Sequence, residues 1–376
     1  MSRTYLDHAS TSPLRPVAAS TMAHWFERST RGEVGDPSRS HHEGLVARDV
    51  VENSRLQVAA LLGARAREVV FCSGATEAIA TASYGVALAR PDQPHTVFSS
   101  IEHSAVRGWA ERGPHTAVGV DPDGVIGVEQ LLGAIGAETG LVHLQWGNHE
   151  VGTLQDIATV AAECRRRGVL LHVDAAQAAG RVPIDFGASG IDLMSVSAHK
   201  FGGPTGTGAL LVRRGLRLDP LIMGGDQERA RRAGIENIAA LAGFGAAADE
   251  AFAEIDDESA VARRLTQRVI EWADATERVA TLGSRTARLP HIVCLTLDGI
   301  EPQPVLIGLD RRGIAVHSGN SCSSEALEPS PVLLAMGADA AHSLRISVGW
   351  SSTDAHIDHL LTVLPEVLAG LEALRR

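Results

Sequence analysis

Lysine is almost absent from this 376-residue chain. Lys200 is the only lysine among 34 basic residues, and all the others are arginine. An arginine side chain stays charged and cannot act as a nucleophile, whereas a lysine amine can lose its proton and condense with a carbonyl group. The composition therefore singles out Lys200 as a catalytic candidate. The alternative is a leftover surface lysine, since most lysines are exposed.

Other absences exclude whole classes of protein. The four cysteines are far apart and form no CxxC pair, so we expect neither a disulfide framework nor a metal site. No run of 18 uncharged apolar residues exists, and MSRTYLDHAS at the N-terminus has no hydrophobic signal region, so we expect a cytoplasmic chain without membrane contact. A net charge of −11 argues against direct nucleic-acid binding.

Strand-like and helix-like runs alternate in the first part of the chain. The strand-like runs are VVFCS, HTVFSS, LVHLQW, LLHVDAA, DLMSVS and GALLVRR, beginning at residues 69, 95, 141, 170, 192 and 208. This alternation predicts an α/β domain with a mainly parallel sheet and helices on both faces. From about residue 255 the order changes to a long charged helix (258–275) and then short strands and helices, which predicts a smaller α+β domain. We assign residues 15–254 to the large domain, and residues 1–14 and 255–376 to the small one.

Polar residues surround Lys200 at the ends of two predicted strands. Asp174 and Gln177 lie at the end of the fourth strand, and Ser197, His199 and Lys200 lie at the end of the fifth. Ligands of open α/β sheets bind at the carboxyl ends of the strands, so these side chains are expected around one site. Pyridoxal phosphate would use all five, because it needs a lysine Schiff base and an acidic partner for its ring nitrogen.

Two further strand ends carry weaker signals. The segment Ser73–Glu77 opens a helix-like run, so its backbone N–H groups and the Thr76 hydroxyl could hold a phosphate or simply cap a helix. His103 could stack on a planar cofactor and move protons, although an isolated histidine is more often a solvated or satisfied one.

Taken together and in order, these motifs resemble those of the NifS/IscS-type cysteine desulfurases, a class V group of the fold-type-I pyridoxal phosphate enzymes. The resemblance runs from TYLDHASTSPLRP at residue 4 to SLRISVGWSSTDAHID at residue 343, and includes FCSGATEA, IEHSAV, NHEVGTLQDI, HVDAAQAAGRVPID, SVSAHKFGGPTGTGALLVRR and HSGNSCSSEALEPSPVLLAMG. It implies a mainly parallel seven-stranded sheet in the large domain, a small domain that carries the nucleophile loop, and a homodimer.

The resemblance also implies roles for individual residues. Lys200 resembles the Schiff-base lysine, Asp174 the partner of the pyridine nitrogen, and His103 the histidine that stacks on the ring. The ring hydroxyl and the phosphate would be bound by Gln177, Ala75, Thr76, Ser197 and His199. Arg345 resembles the arginine that binds the substrate carboxylate, for which a planar guanidinium is suited, and Cys322 resembles the nucleophile.

The implied reaction converts L-cysteine to L-alanine and leaves the sulfur on Cys322 as a persulfide. Because the thiolate is the reactive form, His103 is a candidate proton acceptor. The sulfur would then pass to an acceptor protein, which could be an iron–sulfur scaffold, a sulfur carrier or a tRNA-thiolation enzyme. The segment EALEPS after Cys322 resembles the group with an extended loop, which serves several acceptors.

Several positions depart from the family pattern. His149 stands where the second Asn of an Asn-Asn-Glu motif touches the cofactor and the substrate carboxylate, and a neutral imidazole can still donate one hydrogen bond there. Ile235 replaces a threonine whose hydroxyl normally reaches the phosphate across the dimer, so that contact cannot form. Asp226 replaces a third glycine, and Ile79–Ala80 replace polar residues after Thr76.

Three functions therefore remain open. The first is an L-cysteine desulfurase that depends on Cys322. The second is a related selenocysteine or cysteine C–S lyase, in which His149 changes the substrate pocket. The third is a catalytically weak subunit that acts as a sulfur-transfer partner, in which case the purified protein would fail to retain cofactor.

Overall fold

The computed structural model describes residues 3–319 and 329–374, and these residues form a seven-stranded, a four-stranded and a two-stranded sheet. In chain order the strands are β1 (Thr4–Tyr5), β2 (Val69–Cys72), β3 (His95–Ser99), β4 (His115–Val118), β5 (Thr139–Gln145), β6 (Leu170–Asp174), β7 (Leu193–Ser197), β8 (Gly208–Val212), β9 (Val279–Leu282), β10 (Ile292–Leu297), β11 (Ile314–Ala315), β12 (His317–Ser318) and β13 (Ser343–Ser347).

The α-helices cover these sheets and connect their strands. In chain order they are α1 (Pro16–Thr30), α2 (His42–Leu61), α3 (Ala75–Ala89), α4 (Ser104–Ala110), α5 (Val128–Gly133), α6 (Ile157–Arg167), α7 (Phe186–Ser189), α8 (Gln227–Ala230), α9 (Ile238–Asp274), α10 (Pro302–Arg311), α11 (Pro331–Ala335) and α12 (Asp354–Leu374). No helix in the described ranges is long and apolar enough to span a membrane.

The large sheet has the strand order β2-β8-β7-β6-β5-β3-β4. Strand β8 is antiparallel to both of its neighbours, and the other pairings are parallel. Every residue of β5, β6, β7 and β8 is buried, as expected of strands covered by helices on both faces. The prediction of a mainly parallel, seven-stranded α/β sheet is confirmed.

One strand of this sheet had no counterpart in the sequence prediction. Strand β4 is a short edge strand whose side chains are mostly accessible, so it lacks the apolar run that marks the central strands. It is recognisable only through its pairing with β3.

The C-terminal part forms an antiparallel sheet in the order β12-β13-β10-β9. Its apolar face packs with α9, α10 and α12 into a second core that includes Leu265, Leu295, Leu309, Leu344 and Leu360. The N-terminal strand β1 pairs with β11, so the start of the chain joins this part of the fold.

The predicted helix 258–275 is the second half of a much longer helix. Helix α9 has 37 residues and begins at Ile238, directly after the N-cap residue Asn237, whose side chain accepts a hydrogen bond from Ala240 N. Its alanine-rich first half packs in the core of the large sheet, and Leu265, Val269 and Ile270 belong to the second core. Since α9 runs unbroken through residue 254, the assigned domain boundaries stay a prediction.

Candidate active site

A cavity of about 250 Å³ lies at the carboxyl edge of the large sheet. Strands β2, β3, β5, β6 and β7 all end at this edge, and antiparallel β8 begins there. The predicted site residues that line the cavity are Ala75, Thr76, His103, His149, Asp174, Gln177, Ser197, His199, Lys200 and Arg345. Cys322 lies outside the described residues. The structure thus brings together every predicted site residue that it describes.

Hydrogen bonds hold Lys200 at both its side-chain amine and its backbone carbonyl oxygen. It lies in a single 3₁₀ turn, Ala198–Lys200, that follows β7 directly. Its Nζ donates to the carbonyl oxygens of Ala9 (2.8 Å) and Ser10 (2.9 Å). Its own carbonyl oxygen accepts from Arg181 Nη2 (2.8 Å) and from Ser12 Oγ (3.0 Å). These contacts aim the amine into the cavity.

The partners of Lys200 were missed by the sequence reasoning. Ala9, Ser10 and Ser12 come from the N-terminal segment, which is about 190 residues away in sequence. Arg181 carries no signal of its own in an arginine-rich chain, although it lies within the matched run HVDAAQAAGRVPID.

Asp174 ends β6 with its carboxylate at the cavity wall. One oxygen, Oδ1, accepts from Ala176 N (3.0 Å) and Ser195 Oγ (3.3 Å). These two hydrogen bonds hold the carboxylate in place. Asp174 can therefore pair with a protonated ring nitrogen.

The amide of Gln177 is fixed in orientation by two neighbours. Its Nε2 donates to Ala9 O (2.8 Å), and its Oε1 lies 3.3 Å from His291 Nε2. Burial lowers the pKa of His291 well below its usual value, so this ring is neutral and donates its Nε2 hydrogen to the amide oxygen. One N–H of Gln177 is then available to a ligand. Sequence reasoning had not identified His291.

The start of α3 has the properties of an anion site. Its N-cap residue is Gly74, which has no side chain to cap the first turn, and the Ala75 N–H is held by Ser197 Oγ at 3.0 Å. The uncapped N–H groups and the helix dipole favour a negative charge here. The backbone of Gly208 approaches that of Gly74 closely at this anion site. A Cβ on Gly208 would lie 2.5 Å from Gly74 Cα, so this approach requires glycine at position 208.

His103 and His149 form a second wall of the cavity. Their rings meet edge to face with centres 5.3 Å apart. Burial lowers the pKa of both, most strongly that of His149, whose pKa is lowered further by the nearby His103 and Arg345. At His103 the negative charge of Asp174 partly offsets the lowering of the pKa by burial.

The tautomer of neutral His103 follows from one hydrogen bond. Its Nδ1 accepts from Ala105 N at 3.1 Å, so the ring proton is on Nε2. In this state the ring is a proton donor, and it accepts a proton only if the bond to Ala105 is released. The role of proton acceptor that the sequence predicts for His103 therefore requires this hydrogen bond to break first.

Arg345 reaches the cavity from β13 in the smaller sheet. It is 1% exposed, and its guanidinium contacts Asp7, Ser10 and the carbonyl oxygen of His149. The cavity therefore contains a buried cation that is already paired with a carboxylate.

The positions that depart from the family pattern fall in three different environments. Ile79 is buried and lines the cavity, and Ala80 is buried beside it. Ile235 is 64% exposed, and Asp226 precedes α8 without forming a side-chain cap. His149 is the departure that places a titratable group inside the cavity.

These groups fit pyridoxal phosphate. The lining of the cavity offers an amine, a carboxylate, an oriented amide and the anion site at the start of α3, which match the aldehyde, ring nitrogen, ring hydroxyl and phosphate of that cofactor. In the two described ranges no cluster of three His, Cys, Asp or Glu side chains could hold a metal ion.

Comparisons with known proteins agree with this description. The profile of the family "Aminotransferase class-V" matches residues 4–360. The cysteine desulfurase IscS of Methanosarcina thermophila is 36% identical over 376 residues, which cover 98% of this chain and 92% of that protein. A solved NifS-like protein superposes with a TM-score of 0.90 at 28% identity, covering 98% and 99% of the two chains. SspA, solved in complex with cysteine, has a TM-score of 0.79 at 28% identity, covering 92% and 98%.

Proposed function

This chain belongs to the class-V aminotransferase family, among cysteine desulfurases of the NifS and IscS type, and on that premise we propose that it converts L-cysteine to L-alanine and carries the sulfur on Cys322. The observation that carries the proposal is the position of the only lysine, whose amine shares one cavity with Asp174, Gln177 and Arg345. Pyridoxal phosphate, when bound, supplies the electron sink that stabilises a carbanion at the substrate α-carbon.

The residues of the cavity divide the work of binding and proton transfer. With the cofactor bound, the Lys200 amine would hold it through its aldehyde group, and the same amine would move the α-proton of the substrate. Asp174 would keep the ring nitrogen protonated, because a carboxylate favours a positive charge next to it. Ser197 and the start of α3 would hold the phosphate, and His103, which lines the same cavity, would contact the ring.

Sulfur transfer requires a second thiol. The Cys322 thiolate attacks the sulfur of the substrate, so an S–S bond forms as the carbon–sulfur bond breaks. The electron pair of that bond stays with carbon, which gains a proton and becomes the methyl group of alanine. The net change is L-cysteine plus one protein thiol to L-alanine plus one protein persulfide. An acceptor protein or a reductant then removes the persulfide sulfur.

The finer parts of the proposal concern the surroundings of the reaction. We infer a homodimer in which the segment 224–238 faces the second subunit, and this is supported by the exposure of Ile222, Met223 and Ile235 in and next to that segment. We also place the enzyme in the cytoplasm. Its acceptor would be an iron–sulfur scaffold, a sulfur carrier or a tRNA-thiolation enzyme.

A paired measurement tests the proposed reaction. The absorbance of purified protein reports bound cofactor, and an assay with L-cysteine and a reductant reports alanine and sulfide. Cys322→Ser should keep the cofactor band and lose both products. Cys164→Ala is a matched control, because Cys164 is buried and burial raises the pKa of its thiol to about 12. It should keep wild-type activity.

Two other experimental outcomes would favour a different function from that of a desulfurase. Pyruvate, or product formation that survives Cys322→Ser, would indicate a C–S lyase, and the presence of His149 in the substrate pocket would then be the first feature to examine. A purified protein without the cofactor band would indicate a weakly catalytic partner subunit.

A further inference from the structure

The guanidinium of Arg345 is nearly saturated by groups of this chain. Nη2 donates to Asp7 Oδ1 (3.0 Å) and to Ser10 Oγ (2.7 Å), and Nη1 donates to the carbonyl oxygen of His149 (2.8 Å). Ser10 Oγ in turn donates to Asp7 Oδ1 at 2.9 Å. Asp7, Ser10 and Arg345 therefore form a closed hydrogen-bonded triangle beside the cavity.

Few hydrogens of the Arg345 guanidinium are left for a ligand. A guanidinium has five N–H groups, and three of them are used in these contacts. A fourth, on Nε, is buried and has no partner within the described residues. Only the second hydrogen of Nη1 remains for a group that enters through the cavity. A carboxylate prefers two parallel N–H donors, and Arg345 cannot offer two while both Nη2 hydrogens are engaged.

The charges lead to the same conclusion. Arg345 and Asp7 neutralise each other, and the side chains are 1% and 16% exposed, so neither charge is well solvated. A substrate carboxylate that approached Arg345 would bring a second negative charge next to Asp7. In a site of low effective dielectric, two carboxylates that compete for one cation repel each other strongly.

We propose that Asp7 is a built-in competitor for Arg345, which the α-carboxylate of an amino-acid substrate must displace from Nη2 to bind in two-pronged fashion. The inference rests on the proposed amino-acid substrate but not on desulfuration. Asp7 thereby sets the affinity of the site for carboxylate-bearing amines and is a specificity-determining residue. It also keeps the buried Arg345 paired when no substrate is bound, a state that would otherwise be costly.

Ligand binding to the intact cofactor-loaded protein tests this directly. L-Alanine has the α-carboxylate but no sulfur, and 2-aminoethanethiol is cysteine without its carboxylate. Their dissociation constants are measured from the change in cofactor absorbance and by calorimetry. Asp7→Asn keeps the shape and one acceptor oxygen but removes the charge, so it should tighten L-alanine by at least about fivefold. The affinity for 2-aminoethanethiol should stay within about twofold of wild type, because it brings no second carboxylate.

A second variant separates charge from packing. Asp7→Glu retains the negative charge and should not tighten L-alanine. The proposal is overturned if Asp7→Asn leaves L-alanine binding unchanged or weaker, if Asp7→Glu tightens it equally, or if both ligands gain affinity equally. Failure of wild-type protein to bind L-alanine at all would also overturn it. None of these results depends on sulfide production, so failure of the desulfurase assay is a separate outcome.

Discussion

The imidazole of His149 meets the imidazole of His103 edge to face, with ring centres 5.3 Å apart and planes inclined by 67°. Two imidazolium ions at this separation would repel each other, and burial disfavours a charge on either ring. The pair therefore enters the reaction with His149 neutral. This relationship is absent when an asparagine occupies the second position, so it distinguishes the present site from the usual family pattern.

Replacing His149 by asparagine should change the affinity for L-cysteine without changing the pH dependence of the reaction. Because burial holds the pKa of His149 well below its usual value, the ring does not titrate near neutral pH. The kcat/KM profile of His149→Asn between about pH 6 and pH 9 should thus have the same shape as that of the wild type, with a shift in KM for L-cysteine. Loss of an acidic limb in the variant would show that His149 does titrate in the working enzyme.

Arg181 should act as a positioning residue for Lys200. Its Nη2 donates to both the Lys200 carbonyl oxygen and Ser12 Oγ, and burial lowers its pKa to about 10. Arg181→Met removes a charged donor from both acceptors and leaves the Lys200 carbonyl oxygen with only its bond from Ser12, which should lower the free energy of unfolding by about 1–3 kcal/mol. The bound-cofactor absorbance should also titrate at a different pH, because the lysine loses its support.

Denaturant unfolding and a spectroscopic pH titration measure the two effects of Arg181→Met. Arg166→Met is the matched control, because Arg166 is a surface residue whose partner is Glu163. It should change neither quantity. Destabilisation of Arg181→Met without any change in the absorbance titration would reduce Arg181 to a purely structural residue.

Gly208→Ala should impair cofactor retention. A Cβ at this position would meet Gly74 Cα and Val196 O, both at 2.5 Å, and these are backbone atoms that cannot turn aside. The start of α3 would have to move away from Ser197. We expect a smaller fraction of bound cofactor after gel filtration, whereas Gly370→Ala, at an open helix position, should retain the wild-type amount.

The buried pair His143 and His172 should make the protein sensitive to acid. Their Nδ1 atoms lie 2.9 Å apart on neighbouring strands, and burial lowers the pKa of His143 to about 3. The unfolded chain takes up a proton at this residue near pH 6.5 whereas the folded chain does not, so stability is lost as the pH falls below that value. For His143 alone the loss between pH 8 and pH 5 is about 2 kcal/mol.

Urea unfolding at pH 8 and pH 5 measures this linkage. His143→Gln should lose less stability on acidification than the wild type, even if it is less stable at pH 8. His24→Asn alters an exposed residue and should leave the pH dependence unchanged. Equal pH dependence in His143→Gln and wild type would contradict the assignment of a neutral, buried His143.

The apolar runs were sufficient to predict most of the large sheet, because buried parallel strands read as continuous hydrophobic segments. The apolar runs did not predict β4, because most side chains of this edge strand are accessible. They also did not predict the direction of β8, because that direction is set by its pairing with β2 and β7. The length of α9 was underestimated because its alanine-rich first half lacks the charged periodicity of its second half.

The residue types at the strand ends determined the candidate chemistry. The sole lysine, the acid that ends β6 and the glycine that precedes α3 are visible in the sequence, and they are expected together because the carboxyl ends of parallel strands meet at one edge. Only the tertiary structure showed that Arg181 and the N-terminal segment hold Lys200, and that Asp7 already occupies Arg345. Those contacts join residues about 20 to 340 positions apart, and hydrogen bonding over such separations leaves no periodic trace in a sequence.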